Sequence, residues 1–135
     1  MTQNDTLLMV ENDPAAIRIA MHAFMKSGIK KQRIKVAKDG QAALDILFGE
    51  AGMGYSVPRL ILLDLKLPKI NGLEVLKRIR KEPSTKGVPV IILTNSDEER
   101  DVEKGYNLGA NSYLKKPIDF DQLIDILEQL GLMPK

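Results

Sequence analysis

Residues capable of phosphoryl chemistry follow four of the short apolar runs in this 135-residue chain. Glu11 and Asn12 follow the first such run, and Asp64, Thr94 and Lys116 follow three later ones. Carboxylate and amide oxygens are hard ligands that suit Mg²⁺, and an aspartate can be a nucleophile that forms an aspartyl-phosphate. A lysine ammonium and a threonine hydroxyl can neutralise a moving phosphoryl group. The set predicts phosphoryl transfer, with Lys116 paired to Asp64 before phosphorylation.

These residues can meet only if the apolar runs are strands of one parallel sheet. The run Leu60-Ile61-Leu62-Leu63 shows no alternation, which is typical of a strand buried on both faces. Strands that alternate five times with helices predict an α/β fold with a doubly wound parallel sheet and right-handed crossovers. In such sheets ligands bind beyond the carboxyl ends of the strands. The other predicted strands are Thr6–Val10, Ile34–Ala37, Val88–Leu93 and Ser112–Leu114.

Five helices separate or follow these strands. Asp13 followed by Pro14 predicts a capped start for the first helix. The basic residues of the third helix are interpreted as a solvated face: Lys77, Arg78, Arg80 and Lys81. The polar fourth helix is expected to be the least firmly packed. The predicted helices run from Pro14 to about Gly28, around Ala43–Leu47, from near Gly72 to Pro83, from about Glu98 to Leu108, and from Phe120 to Leu130.

Composition narrows the class of protein. Hydrophobic residues make up 44% of the chain, charged residues 28%, and the net charge is only +2. We therefore expect one globular domain over residues 1–135 with no output domain, no nucleic-acid surface and no membrane span. Cysteine is absent, so there is no disulfide framework, and the cytoplasm is the expected location. No glycine-rich nucleotide loop is present, so the phosphoryl group is expected to come from a partner or a small donor.

Five motifs in order carry a resemblance to a known family. On them the chain, from Leu7 to Leu130, resembles a response-regulator receiver domain of two-component signalling. It is similar to the stand-alone CheY-like kind. The character and spacing of its motifs are similar to those of the regulators that partner bacterial phytochrome kinases. The resemblance implies a flavodoxin-like sheet with strand order 2-1-3-4-5. The motifs are Val10-Glu11-Asn12-Asp13-Pro14, Leu62-Leu63-Asp64 with Leu67-Pro68 and Gly72, Leu93-Thr94, Gly109-Ala110 and Lys116-Pro117.

The resemblance implies a role for each residue at the predicted edge. Asp64 would accept phosphate from a histidine of a sensor kinase. Glu11, Asn12 and Asp64 would serve Mg²⁺, with the backbone carbonyl of Lys66 completing the site and Glu11 acting through a water.

It also implies how the phosphorylated state is held and signalled. Thr94 and Lys116 would grip the phosphoryl group. Tyr113 would be the switch aromatic that turns inward with Thr94. The Lys116-Pro117 peptide bond is expected to be cis. Catalysis would be limited to self-catalysed acceptance of the phosphoryl group and slow autodephosphorylation, so the chain is not expected to be an enzyme. Output would pass by protein contacts or onward phosphotransfer to an unknown target, from a monomer or weak homodimer.

Departures from the family pattern leave alternatives open. The position of Asn12 is usually Asp, and Asp13 next to it could supply the missing carboxylate instead of capping the helix. Asn95 is bulkier than the small residue usual after the threonine, and Lys66 and Ser96 occupy positions that tune dephosphorylation. The main alternative is a degenerate receiver that binds proteins without phosphorylation. A flavodoxin-like cofactor binder or small enzyme is less well supported, because no loop carries a phosphate-cradling glycine run.

Overall fold

A computed structural model describes residues 6–49, 57–67, 69–94 and 99–131. Their five strands form one parallel sheet in the order β2-β1-β3-β4-β5, which confirms the predicted strand order. The strands are β1 Leu7–Val10, β2 Ile34–Ala37, β3 Leu60–Asp64, β4 Val90–Thr94 and β5 Ser112–Lys115. The helices are α1 Pro14–Lys26, α2 Gly40–Phe48, α3 Gly72–Lys81, α4 Glu99–Asn107 and α5 Phe120–Gln129.

Two apolar cores lie on opposite faces of the sheet, because successive strand residues point to opposite sides. Leu60 and Leu62 pack with α1 and α5 on one face. Ile61 and Leu63 pack with α2 and α3 on the other. Every residue of β3 is buried, as the absence of alternation predicted.

The same alternation sorts the predicted site residues. Asp64 shares the α1–α5 side of β3 with Leu60 and Leu62, whereas Thr94 lies on the α2–α3 side of β4 with Ile92. The register pairs Ile92 with Tyr113, which places Tyr113 on the Thr94 side of the sheet. The carboxyl edge of the sheet therefore holds Asp64 on the α1–α5 face, which we call the front of the site. Thr94 and Tyr113 lie on the α2–α3 face, and we call them the rear pair.

Local capping explains where several helices begin. The side chain of Asp13 accepts a hydrogen bond from the backbone N–H of Ala15, so the predicted cap of α1 is confirmed. Asp39, Asn71 and Asp119 cap α2, α3 and α5 in the same way. Each of these carboxylates or amides satisfies a donor that the first turn of a helix leaves free.

The structure corrects one predicted strand boundary and one interpretation of a surface residue. Strand β4 begins at Val90 rather than Val88, since the N–H of Val88 closes a turn onto the carbonyl of Thr85 and Pro89 has no N–H to donate. Arg80 is only half-exposed and is not simply solvated, because its guanidinium donates hydrogen bonds to acceptors in two loops. Among the described residues, no helix has the length and apolar character needed to cross a bilayer.

Candidate functional site

A lysine ammonium joins two buried carboxylates at the carboxyl edge of the sheet. Lys116 Nζ lies 2.7 Å from Glu11 Oε1 and 2.9 Å from Asp64 Oδ2. The Glu11 side chain is fully buried, and the side chains of Asp64 and Lys116 are 7% and 9% exposed. The predicted pairing of Lys116 with Asp64 is therefore confirmed, although the two residues are 52 positions apart in sequence.

Glu11 is held from both ends of its carboxylate. While Oε1 faces Lys116, Oε2 accepts hydrogen bonds from the backbone N–H groups of Asn12 (3.0 Å) and Asp13 (2.9 Å). Burial raises the pKa of Glu11, although the hydrogen bonds from Lys116 and Asp13 act in the opposite direction. Burial also acts to lower the pKa of Lys116, but its bonds to Glu11 and Asp64 outweigh burial and raise that pKa.

The loop after β3 orients the Asp64 carboxylate. Asp64 Oδ1 accepts a hydrogen bond from the backbone N–H of Lys66 at 3.0 Å, while Oδ2 faces Lys116. The loop then doubles back, and the N–H of Gly72 bonds to the carbonyl of Leu65. A Cβ at Gly72 would collide with the backbone of Asp64 and Leu65, which explains why glycine stands at the start of α3.

The oxygen donors at this edge suit a divalent cation, but they form an incomplete acidic set. Within the described ranges, no three histidine, cysteine or acidic side chains gather closely enough to hold a metal. Asp64 supplies one carboxylate, and the exposed Asn12 can supply an amide oxygen. Asp13 Oδ1 accepts the capping hydrogen bond of α1 from the N–H of Ala15. Hard oxygen donors of this kind fit Mg²⁺ or Mn²⁺.

Thr94 and Tyr113 form the rear pair. Thr94 is buried at the end of β4, and the N–H of Lys116 bonds to its backbone carbonyl. Tyr113 is 42% exposed, and its ring contacts Tyr106 of α4 edge-on, with centroids 6.1 Å apart. The inward position expected of an activated switch aromatic is therefore not the one adopted here.

Two residues that shape the site were not identified from the sequence. Tyr106 packs against the predicted switch residue, and only its aromatic type in a polar helix could have signalled this. Gly72 was recognised as part of a motif but not as the residue that lets the loop pack against Asp64. The predicted cis peptide bond at Lys116-Pro117 is present. The predicted neighbours Pro68, Asn95 and Ser96 lie outside the described residues.

Comparisons with known proteins all indicate the same family. The family described as Response regulator receiver domain matches residues 7–128. The probable methanogenesis regulatory protein FilR2 of Methanothrix harundinacea is 40% identical over 124 residues, covering 92% of this chain and 79% of that protein. The response regulator Rcp1 of Synechocystis is 37% identical over 123 residues, covering 90% and 83% of the two chains.

Solved structures agree with this assignment. The bacteriophytochrome response regulator RtBRR is 39% identical and has a TM-score of 0.83, covering 97% of this chain and 80% of that one. The Mn²⁺-bound form of Rcp1 is 33% identical with a TM-score of 0.78, covering 97% and 99%. The similarity to phytochrome response regulators expected from the motifs is confirmed. Receiver domains bind divalent metal and interact with sensor kinases, and proteins that contain them act in signalling. The strand order, the residues at the carboxyl edge and the family match all agree. This chain therefore belongs to the response regulator receiver domains, the phosphoacceptors of two-component systems.

Proposed function

We propose that Asp64 is the residue that accepts the phosphoryl group, from a phosphohistidine of a sensor kinase. The observation that carries this assignment is the Lys116 ammonium held between Asp64 and Glu11 at a buried strand end. An Asp64 oxygen attacks phosphorus, the P–N bond to the donor imidazole breaks, and the imidazole leaves with the electron pair and takes up a proton. The product is an aspartyl-phosphate.

Lys116 and Thr94 hold the transferred group in this proposal. The new phosphoryl oxygens take the place of Asp64 Oδ2 as partners of the Lys116 ammonium, which Glu11 keeps at the edge of the sheet. Thr94 ends the neighbouring strand, and its hydroxyl is the donor proposed to reach those oxygens from the other face. A fixed cation beside developing negative charge is the main way in which proteins promote phosphoryl transfer.

Mg²⁺ is the proposed metal, and it would supply further charge neutralisation to the phosphoryl oxygens. Asp64, Asn12 and the backbone carbonyl of Lys66 are the proposed ligands. Both oxygens of Glu11 already have partners, which supports an indirect role for Glu11 through a water.

The proposed output is contact with other proteins or onward phosphotransfer. We propose that Tyr113 leaves Tyr106 and turns inward as Thr94 moves toward the phosphoryl group. The chain would then act on no substrate beyond its own phosphoryl group. A phytochrome-type sensor kinase is the proposed donor, by similarity to RtBRR and Rcp1. The cytoplasmic location stays a prediction.

Phosphorylation by acetyl phosphate tests the assignment of Asp64. The protein is incubated with acetyl phosphate and Mg²⁺, trapped with borohydride and mapped by mass spectrometry. The parent and Asp119→Asn, which alters an exposed helix cap, are expected to be labelled once, at Asp64. Asp64→Asn is expected to stay unlabelled. Label that persists in Asp64→Asn would show that another residue is the acceptor, and no label in the parent would favour the phosphorylation-independent alternative.

A further inference from the structure

The Gly109-Ala110 motif lies at the opposite edge of the sheet from Asp64, where it ends α4. The N–H of Ala110 bonds to the carbonyl of Gly105, and the N–H of Gly109 bonds to that of Tyr106, while Gly109 has φ +102°. This is the hydrogen-bond pattern by which a left-handed glycine closes a helix. Asn111 follows and pairs with Val90, so β5 starts directly after this closure.

Arg80 of α3 binds this helix end. Its Nε donates to the carbonyl of Gly109 at 2.9 Å, and its Nη2 donates to Asn111 Oδ1 at 3.0 Å. Its Nη1 donates to the carbonyls of Val88 (2.7 Å) and Lys86 (3.1 Å). The guanidinium thereby ties α3, the loop before β4 and the loop before β5 into one unit. Burial lowers the pKa of Arg80.

The geometry of these bonds requires an arginine. Among the described residues, the acceptors of Arg80 are three backbone carbonyls and one amide oxygen, without a carboxylate. The stabilisation that Arg80 provides therefore depends more on the direction of its N–H groups than on its charge. A planar guanidinium presents five donors in a fixed arrangement, whereas a lysine ammonium at the same place is a point charge on a flexible stem.

Gly109 is needed for a second reason besides its φ. A Cβ on Gly109 would lie 2.9 Å from Arg80 Nε and 3.1 Å from Arg80 Cδ. The motif and the arginine are therefore matched in space, although they are 29 residues apart in sequence.

Among the described side chains of α4 and the residues that follow it, further attachments lie near the same end. Leu108 and Ala110 pack against the core on the α2–α3 face. Gly105 is buried so close to the side chain of Ile92 that a Cβ there would collide with it. Tyr106 also contacts Tyr113, but this contact is proposed to break on switching and does not fix the helix end. The sequence of the first turn of α4, Glu99-Arg100-Asp101, is entirely charged.

We propose that Arg80 is a positioning residue that fixes the C-terminal end of α4, so that switching at Thr94 and Tyr113 turns the helix about this end. The anchoring role stands on the contacts of Arg80 alone. The turning motion rests on the proposed function, because it needs phosphorylation at Asp64 to drive it.

Amide hydrogen exchange in the unphosphorylated protein tests the anchor. Arg80→Lys is compared with Arg78→Lys, a matched change of an arginine that contacts Glu82 and Phe48 instead. In Arg80→Lys, the amides of residues 108–111 are expected to exchange roughly tenfold faster, which corresponds to about 1.4 kcal/mol of local opening free energy. The amides of β3 should not change, and Arg78→Lys should leave all of these rates as in the parent.

Three results decide the anchor. Faster exchange confined to residues 108–111 supports it. Unchanged exchange there overturns it, and so does acceleration that includes β3, because Arg80 would then support the whole fold. Arg80→Ala is expected to give a larger version of the local effect; if that variant unfolds, Arg80→Lys alone decides.

Activation with beryllofluoride and Mg²⁺ tests the turning motion. In the parent, amide exchange is expected to change over residues 102–104 and to stay constant at residues 108–111. In Arg80→Lys, the change is expected to spread to residues 108–111. A parent that changes equally at both ends overturns the pivot. A parent without any response overturns the pivot together with the proposed function, and the anchor is still judged by the first experiment.

Discussion

Removal of the Lys116 ammonium should leave two buried carboxylates facing each other. In Lys116→Met, Glu11 and Asp64 lose a cation that lies 2.7 and 2.9 Å away. Deleting one partner of a buried ion pair typically costs about 3–5 kcal/mol, since the remaining charge stays desolvated. We expect about 3 kcal/mol at pH 8, the lower end of the range, because Glu11 Oε2 keeps its two backbone hydrogen bonds.

The pH dependence of this loss follows from Glu11. Its pKa is already raised by burial and should rise further without Lys116, which acts to lower it. A carboxyl whose pKa is higher in the folded than in the unfolded state favours folding at low pH, and that contribution is lost as pH rises through the folded pKa. Lys116→Met should therefore lose less stability at pH 5 than at pH 8.

Urea unfolding followed by circular dichroism at both pH values provides the measurement. Adding Asp64→Asn to Lys116→Met removes one of the two facing charges and should restore about 1–2 kcal/mol. The exposed neighbour gives a control, since Lys115→Met should change stability by about 0.5 kcal/mol or less. A loss below about 1 kcal/mol in Lys116→Met at pH 8, or a double variant less stable than the single one, would refute this reasoning.

Three further predictions address the metal, the packing and the switch. Asn12→Asp restores a ligand charge and should tighten Mg²⁺ binding roughly tenfold by calorimetry; unchanged affinity would mean that the metal lies elsewhere. Gly40→Ala should cost about 1–3 kcal/mol in urea unfolding, because its Cβ would collide with the loop after β3, whereas Gly87→Ala, with open space around it, should be nearly neutral. Thr94→Ala should still accept phosphate, but the NMR chemical shifts of the α4 amides should change little on activation. Changes as large as those in the parent would show that the movement of Tyr113 does not depend on Thr94.

The fold and the front of the site could be predicted from the sequence, since they depend on local signals. Unbroken apolar runs such as that of β3 indicate strands covered on both faces, and the order of strands and helices leaves few topologies. The parallel arrangement then brings the strand ends together, so Asp64 and Lys116 were expected to pair. Asp13 was recognised as a cap because the signal, a carboxylate before a proline, lies within two residues.

Only the tertiary structure decided which partners the long side chains contact in distant parts of the chain. Arg80 has the same sequence context as the basic residues beside it, and nothing local shows that loops 6 to 31 residues away supply its acceptors. The contact of Tyr106 with Tyr113 likewise depends on how α4 lies on β5. For Glu11, the turn after β1 directs two N–H groups to one oxygen and leaves the other for Lys116. Helical and strand periodicity report which face a residue occupies, whereas hydrogen-bond partners across elements depend on distances that only the packed chain sets.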